Sequence, residues 1–212
     1  MPQPSFPVIG LVGGIGAGKS SVAEGLRQHF SVLVLDADRS GHRALQDPVI
    51  REQLVSLFGT DILSADREID RKSLARLVFG DSPGHRARRK QLEGIVQPRI
   101  RQDLLAQLDE AAARGGIDVV LLDAPVLLES GWETLCDAIA YIDTPREQRV
   151  ERVRGRGWSA EELDRREASQ MPLEEKRRRS EVVLDNSGEP AVAVEQLREF
   201  VKTRFRGGGG AQ

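Results

Sequence analysis

Five short apolar runs alternate along the chain with longer segments in which apolar residues recur at helical spacing. The runs are VIGLV, VLVL, VVLL, AIAYI and VVL, at residues 8–12, 32–35, 119–122, 138–142 and 182–184. None of them alternates with polar residues, so each is predicted to be a strand that is covered on both faces. Strands of this kind between helices indicate a parallel sheet wrapped by helices, and therefore an α/β fold.

An aspartate follows directly after each of the last four runs, at Asp36, Asp123, Asp143 and Asp185. Ligands of open α/β sheets bind at the carboxyl ends of the strands, so these carboxylates mark the edge where a site is expected. Aspartate also caps helices and forms turns, and for each of the four this structural role is an equal alternative.

Residues 47–114 contain no such run and are predicted to be helical throughout. Asp47, with a proline directly after it, is predicted to be a helix N-cap, and Asp70 is predicted to cap the next helix. Pro98 is expected to begin a long helix that ends near Arg114, because proline is tolerated in the first turn of a helix.

Residues 146–179, here called the basic segment, are rich in arginine and poor in large apolar side chains. Such a segment is expected to have little core, to stand off the sheet and to move. The sheet-bearing core is then predicted at 1–46, 115–145 and 180–206. The last residues, 207–212, read GGGGAQ and are expected to be a disordered tail.

Composition and charge are those of an ordinary soluble protein. The 212 residues suffice for one domain with inserted subdomains, and a net charge of −2 gives no bias toward nucleic acid or membranes. The single cysteine, Cys136, excludes an internal disulfide, which suits a reducing compartment. No apolar run is long enough to span a membrane, and the initial MPQPSFP lacks the features of a signal peptide. A cytoplasmic protein is therefore expected.

Residues 13–21 read GGIGAGKSS, between the first predicted strand and a segment with helical spacing. They match the phosphate-binding pattern G-x-x-x-x-G-K-[ST], with Gly13, Gly18, Lys19 and Ser20 at its defined positions. Glycines let backbone N–H groups turn toward an anion, and the following helix adds the positive end of its dipole. A tight surface turn is the alternative, but the flanking strand and helix favour a nucleotide phosphate site.

The lysine of this loop is informative because lysine is rare in the chain. Of the 31 basic residues only five are lysine, so random usage would favour arginine. A compact ammonium can lie between two phosphates where a planar guanidinium does not fit. The presence of Lys19 therefore supports phosphate chemistry.

The loop by itself is shared by kinases, GTPases and ATPases. The N-K-x-D motif with which GTPases read their base is absent, and so is the L-S-G-G-Q signature of transporter-type ATPases. A D-x-x-G match at residues 81–84 lies in the helical insert rather than after a strand, so it is discounted. These absences leave a small α/β kinase with a core, an insert that holds the acceptor and a basic lid.

Five segments occur in the order and spacing of dephospho-CoA kinases: GLVGGIGAGKSSVA, VLDADRSGHRAL, LLDAPVLLESG, REASQMPLEEK and VVLDNSG. The chain resembles this family from Ile9 to about Phe200. The resemblance implies a P-loop kinase core of parallel strands flanked by helices, a helical acceptor-binding insert at 47–114 and a lid at 146–179. It also implies transfer of phosphate from ATP, with Mg²⁺, to the ribose 3′-hydroxyl of dephospho-CoA, the last step to coenzyme A. A monomer or small homo-oligomer without nucleic acid or membrane partners is expected.

The resemblance also assigns residues to the nucleotide and the metal. Ser20 is expected to ligate Mg²⁺, and Asp123 is expected to orient water on the same ion. The residues expected to bind the nucleotide are Gly14, Gly16, Ala17, Gly18, Lys19, Ser20, Ser21 and Asn186.

Four residues are expected to act in the transfer itself. Lys19 is expected between the β- and γ-phosphates. Asp38, the second aspartate of D-A-D, is expected to be the base that accepts the proton of the 3′-hydroxyl, with helix capping as the alternative. Arg152 and Arg156 resemble lid arginines that approach ATP, and a solvated charged face is their alternative.

Gln97 departs from the family pattern, which usually has a histidine before the proline that follows. Glutamine can still donate and accept hydrogen bonds but does not titrate near neutral pH, so a charged role is in doubt there. A second hypothesis is a nucleotide-binding regulator that keeps the scaffold without acceptor chemistry. Asp38 and the basic segment argue against it, since a mere binder needs neither.

Overall fold

The five predicted strands form one sheet in the computed structural model, which describes residues 6–80 and 82–206. Their bounds are β1 Val8–Gly13, β2 Val32–Asp36, β3 Val119–Asp123, β4 Ala138–Asp143 and β5 Val182–Asp185. The order across the sheet is β2-β3-β1-β4-β5, and every pair of neighbours is parallel. The predicted parallel α/β fold is confirmed, and each strand runs one residue past its predicted apolar run.

Helices surround this sheet and fill the long insert. In chain order the α-helices of the described residues are α1 Lys19–Leu26, α2 Ala37–Gln46, α3 Pro48–Phe58, α4 Arg71–Val78, α5 Pro83–Arg114, α6 Arg146–Arg154, α7 Ala160–Glu167, α8 Leu173–Arg178 and α9 Pro190–Val201. Ile9 and Leu121 are buried in one cluster with Leu26 of α1, while Val120 and Leu122, which alternate with them along β3, are buried too. Both faces are buried in β1, β3 and β4, as predicted, and this explains their unbroken apolar runs. The prediction is wrong for the edge strand β5, in which Val183 is exposed, and the other edge strand, β2, is only partly buried. Within the described ranges, no helix has the length and apolar character of a membrane span.

The described residues form two compact units. One comprises the chain up to Asp36 and from Gln107 onward and contains the whole sheet, and the other is Ala37–Ala106. Both boundaries fall earlier in the chain than the predicted ones at 46/47 and 114/115, since α2 belongs to the helical unit and α5 runs through the second boundary. An acceptor-binding role for the insert stays a prediction, and the predicted tail lies outside the described residues.

The helical unit begins its helices as the sequence predicts. Oδ1 of Asp47 accepts the N–H of Val49 at 2.9 Å, and Oδ1 of Asp70 accepts the N–H of Lys72 at 3.1 Å. Both N-caps are therefore confirmed. The buried core of this unit consists of apolar residues of α3, α4 and the short turn between them: Ile50, Leu54, Ile62, Leu74 and Val78. A single antiparallel bridge before α4 shows that the insert is not helical throughout.

The long helix does not begin at Pro98, because α5 spans Pro83–Arg114 and contains this proline. Proline removes one main-chain N–H, and its ring crowds the carbonyl four residues earlier. That carbonyl belongs to Gly94, and both positions are exposed, so water can satisfy it. Ile95 packs against the helical core on one side of the proline and Ile100 is buried on the other. This packing outweighs the local cost and keeps the helix continuous.

The basic segment folds into α6, α7 and α8. Val150 and Val153 of α6 meet Leu163 of α7 in a small buried core, against which Ile15 of the glycine-rich loop also packs. These three buried residues agree with the prediction of little core, and they face one another across α6 and α7. The motion of the basic segment as a lid stays a prediction.

Candidate functional site

The glycine-rich loop between β1 and α1 uses backbone conformations that other residues avoid. Gly16 and Gly18 have φ values of 79° and 93°. A Cβ at Gly18 would lie 2.8 Å from Nδ2 of Asn186, and one at Gly16 would lie 3.0 Å from the main-chain oxygen of Arg149. Both conformation and space therefore require glycine.

The loop leads into the N-terminus of α1 without a side-chain cap. The N-cap residue of this helix is Gly18, which has no side chain that could accept an N–H of the first turn. The first N–H groups of a helix have no partner within the helix, and together with the dipole they attract anions. The loop and the start of α1 thus form a backbone arrangement that suits phosphate.

The carbonyl oxygen of Ala17 accepts hydrogen bonds from three side chains. Oγ1 of Thr144 donates to it at 2.8 Å, Nδ2 of Asn186 at 2.7 Å and Nη1 of Arg152 at 3.1 Å. A trans peptide is planar, so the N–H of Gly18 points away from the Ala17 oxygen. These three side chains, here called the Ala17 clamp, therefore set the direction of a loop N–H.

Two of the four strand-end carboxylates lie side by side next to the loop. Asp123 ends β3 and is in register with Asp36 at the end of β2. On its other side, Asp123 is in register with Leu11 of β1, the strand that leads into the loop. Asp123 is half-buried and Asp36 is exposed. The predicted carboxylate edge is thus present beside the loop.

The other two strand-end carboxylates have structural partners. Asp143 accepts a hydrogen bond from the guanidinium of Arg177. Oδ1 of Asp185 accepts the N–H of Ser187 at 2.9 Å, as in a turn, and hydrogen bonding from Ser187 lowers the pKa of this carboxyl. The Asp185 side chain therefore forms a turn, the structural role given above as the alternative to ligand binding.

A magnesium ion would find two oxygen donors at this edge, Ser20 and Asp123. Ser20 is exposed in the first turn of α1, and Asp123 ends the strand beside β1. The part of the chain that the structure describes contains no cluster of three acidic, histidine or cysteine residues that could cage a metal. Mg²⁺ usually keeps several waters and takes one or two protein ligands beside substrate phosphates, so this pair fits it.

The remaining predicted residues lie at different places. Lys19 is the half-buried first residue of α1, and Ser21 is exposed on the same helix. Asp38 is the exposed second residue of α2, so it lies within the helix and not at an N-cap position. Of the two basic-segment arginines, Arg152 contacts the loop, whereas Arg156 is exposed just after α6.

Lys176, in the quoted QMPLEEK stretch, is buried with 2% of its side chain exposed. Its ammonium lies 3.2 Å from Oε1 of Glu129, donates to the carbonyl of Pro125 at 3.3 Å and donates to Oε1 of Gln170 at 3.0 Å. Lys176 therefore links the segment after β3 to α8 through an ion pair and a hydrogen bond. A buried lysine with these partners supports the position of the chain that follows Asp123.

Three polar residues at the loop were missed by sequence reasoning: Thr144, Arg149 and Glu167. Thr144 directly follows the strand-end residue Asp143, a position that could have been recognised. Arg149 and Glu167 lie among many charged residues of the basic segment, and no local pattern marks them as buried. Burial of a charge depends on the tertiary fold.

Gln97, the departure from the family pattern, lies on α5 in the helical unit. Its Oε1 is buried and has no hydrogen-bond partner within residues 6–80 and 82–206. One turn later, Nη1 of Arg101 is in the same situation. The two side chains therefore place an acceptor and a donor on one side of α5, within the part of the chain predicted to bind the acceptor.

Comparison with known proteins covers the loop, the sheet and the basic segment together. Residues 7–191 match the family model described as dephospho-CoA kinase. The dephospho-CoA kinase of Rhodopirellula baltica is 38% identical over 204 residues, covering 96% of this chain and 92% of that protein. The dephospho-CoA kinase of Thermus thermophilus is 41% identical over 196 residues, covering 92% and 88%. A crystal structure of a Thermus thermophilus protein is similar with a TM-score of 0.79 and 38% identity, covering 94% of this chain and 98% of that one.

Proposed function

This chain belongs to the dephospho-CoA kinase family, and we propose that it transfers the γ-phosphate of ATP to the ribose 3′-hydroxyl of dephospho-CoA. The family catalyses the final step of coenzyme A biosynthesis, a phosphate transfer to an alcohol group. The observation that carries the proposal is the family match, because it spans the glycine-rich loop and the strand ends beside it. The residue roles below follow from the geometry of those elements.

The glycine-rich loop binds the phosphates of ATP through its backbone. The Ala17 clamp fixes one peptide so that the N–H of Gly18 points away from the clamp, and the uncapped first turn of α1 adds further donors. Gly14, Gly16 and Ala17 complete the loop backbone around the phosphates. Donors that are already in place need no reorganisation when charge develops in the transition state.

Lys19 and the metal neutralise the phosphate charge. The ammonium of Lys19 serves as a point charge between the β- and γ-phosphates. Ser20 and Asp123 would hold Mg²⁺, which supplies charge neutralisation on the β- and γ-phosphate oxygens when it is bound. Ser21 lies next along α1 and serves the α-phosphate.

Asp38 accepts the proton of the acceptor hydroxyl. Asp38 is an exposed residue in the first turn of α2. The aspartate holds the 3′-oxygen and takes its proton as the bond to phosphorus forms, while ADP leaves with the electron pair of the broken bond. Gln97, in the same unit, carries no charge and so supplies no titrating group to the acceptor.

Arg152 and Arg156 reach the nucleotide when the basic segment closes. Arg152 already contacts the loop, donating to the carbonyls of Gly16 at 3.3 Å and Ala17 at 3.1 Å. A guanidinium has five N–H donors, so Arg152 can bind phosphate oxygens with N–H groups other than those on the loop, and charged acceptors bind guanidinium more strongly than neutral ones. Closure also excludes water that would compete with the ribose hydroxyl. Asn186 adds a polar group at the same end of the loop.

A nucleotide-binding regulator without acceptor chemistry is not favoured. The family match spans the helical unit as well as the loop, and a regulator has no need of an acceptor unit. The two functions differ in a simple respect. Only the kinase releases ADP faster when the acceptor is present.

The proposal is tested by coupled ADP release with ATP and Mg²⁺, using dephospho-CoA, pantetheine, adenosine or no acceptor. Dephospho-CoA should accelerate release strongly, and the other three conditions should give the slow background of hydrolysis. Asp38→Asn should remove the acceleration, whereas Asp66→Asn, at an exposed aspartate of the same unit, should leave it unchanged. Equal rates with and without dephospho-CoA would contradict the kinase function.

A further inference from the structure

The first half of the glycine-rich loop is bound by a buried ion pair from the basic segment. Oε1 of Glu167, at the end of α7, accepts the N–H of Ile15 at 2.9 Å. The same oxygen accepts a hydrogen bond from Nη1 of Arg149 on α6. One carboxylate oxygen thus joins a loop N–H to a guanidinium from a different helix.

This pair is shielded from solvent and anchored at its other end. The Arg149 side chain is 6% exposed and that of Glu167 is 16% exposed. Nε of Arg149 donates to the carbonyl of Thr144 at 3.1 Å, and Thr144 in turn belongs to the Ala17 clamp. A continuous set of hydrogen bonds therefore runs from Ile15, through the pair, to the second half of the loop.

The pair also packs directly on the loop backbone. A Cβ at Gly14 would lie 2.5 Å from Nη1 of Arg149 and 2.9 Å from Oε1 of Glu167, closer than real Cβ contacts. Ile15 is held on its apolar side as well, since it packs against the core of α6 and α7. Backbone and side chain of Ile15 are thus fixed by the same two helices.

We propose that Glu167 and Arg149 are positioning residues that fix the first half of the phosphate loop for nucleotide binding. The inference rests on the proposed function only in that the loop binds a nucleotide. Neither side chain needs to touch the phosphates. Glu167 holds the Ile15 peptide, and Arg149 neutralises the carboxylate so that its charge does not repel the incoming anion.

If Glu167 acted only as a negative charge, its removal would change nucleotide affinity in the opposite direction. Removing a negative charge near a phosphate site should strengthen anion binding on electrostatic grounds alone. A positioning role predicts weaker binding, because the freed Ile15 peptide must be ordered when the nucleotide arrives. The sign of the effect therefore separates the two roles.

A second ion pair on the same two helices provides the matched control. Nη2 of Arg146 on α6 donates to Oδ2 of Asp164 on α7 at 2.7 Å, and both side chains are about half exposed. This pair joins α6 to α7, and its hydrogen bonds within residues 6–80 and 82–206 do not reach the loop. Asp164→Ala therefore removes a tether between the helices without removing a loop contact.

The test is calorimetric binding of Mg²⁺·ADP to the full chain carrying Glu167→Ala, Glu167→Gln or Asp164→Ala. Glu167→Ala should weaken binding about tenfold, roughly 1.4 kcal/mol. Glu167→Gln should stay within about threefold of the wild type or bind more tightly, since the amide oxygen can still accept the Ile15 N–H while the charge is gone. Asp164→Ala should stay within about twofold, as expected for an exposed pair.

Equal effects of Glu167→Ala and Asp164→Ala would overturn the inference, and so would a Glu167→Gln variant as weak as Glu167→Ala. Amide exchange of Ile15 in the wild type gives a second readout that needs no variant to fold: protection supports the bond, and exchange at the rate of an open amide overturns it. A wild type that binds Mg²⁺·ADP but phosphorylates no dephospho-CoA would remove the proposed function and leave this inference standing.

Discussion

The Ala17 clamp makes the most detailed prediction, because its donor side chains can be removed one at a time. Thr144→Val removes a hydroxyl that donates to the Ala17 oxygen at 2.8 Å and keeps the shape of the side chain. Asn186→Leu removes the amide donor at 2.7 Å. The double variant leaves only Arg152, at 3.1 Å, on this oxygen.

The expected magnitudes follow from these partners. The Ala17 oxygen keeps at least one donor in every variant, so the lost bond to this oxygen costs about 1 kcal/mol and does not leave a buried orphan. Either single change also removes the bond of 3.3 Å that Nδ2 of Asn186 donates to Oγ1 of Thr144. For Thr144→Val this lowers the melting temperature by roughly 2–4 °C. Asn186→Leu should be closer to neutral, because it also removes Oδ1 of Asn186, which is buried without a partner among the described residues.

Nucleotide affinity should fall in all three variants, whereas the free energy of unfolding should change little in Asn186→Leu. Without the clamp, the nucleotide must itself order the loop peptide, and this cost reduces the binding free energy. A loss of 1 kcal/mol corresponds to about fivefold weaker binding and a loss of 2 kcal/mol to about thirtyfold. Thr144→Val and Asn186→Leu should therefore each raise the Kd of Mg²⁺·ADP about fivefold. The double variant should raise it further, up to about thirtyfold, because the two side chains also share a hydrogen bond that either single change removes. The KM for dephospho-CoA should not change.

Calorimetry on the three variants measures these effects, with Thr134→Val as the control. Oγ1 of Thr134 also donates to a main-chain carbonyl, that of Gly131, at 3.0 Å. Its removal should leave nucleotide affinity unchanged. A double variant that binds Mg²⁺·ADP as tightly as the wild type would refute the claim that the clamp directs the loop.

Three further predictions concern other parts of the molecule. Lys19→Ala and Lys19→Arg should both abolish most ADP release while leaving the melting temperature unchanged, because the planar guanidinium does not replace an ammonium between two phosphates; a fully active arginine variant would contradict this reading. Asp38→Asn should lower kcat by about 10²–10⁴ with little change in the KM for ATP, measured at saturating acceptor. Burial raises the pKa of the Cys136 thiol to about 12, so iodoacetamide at pH 8 should alkylate the native protein roughly 10³-fold more slowly than the unfolded chain; equal rates would show that the thiol is accessible.

The fold was predictable because its signals are local. Each strand is a continuous apolar run, and a parallel sheet that is buried on both faces needs such runs. The caps Asp47 and Asp70 were predictable for the same reason, since a cap depends on the two or three residues that follow it. Pro98 was mistaken for a helix start because its local preference is overridden by packing on both sides.

The site was predictable only as far as its backbone pattern extends. The glycines and Lys19 form a contiguous motif, whereas the groups that hold the loop come from distant parts of the chain. Thr144 follows β4, Asn186 follows β5, and Glu167 ends α7. Asn186 was expected at the nucleotide, and its side chain holds the Ala17 carbonyl instead of facing solvent. Burial of Arg149 with Glu167 arises only when α6 and α7 pack on the loop, which no periodicity encodes.

Identification of the product tests the central claim most directly. The full chain is incubated with ATP, Mg²⁺ and dephospho-CoA, and the product is examined by mass spectrometry and by ³¹P NMR. We expect one added phosphate on the acceptor, a new phosphomonoester resonance assigned to the ribose 3′-position and one ADP formed for each phosphate transferred. ADP with free phosphate and unmodified dephospho-CoA, or a phosphate at any other position of the acceptor, would contradict that claim.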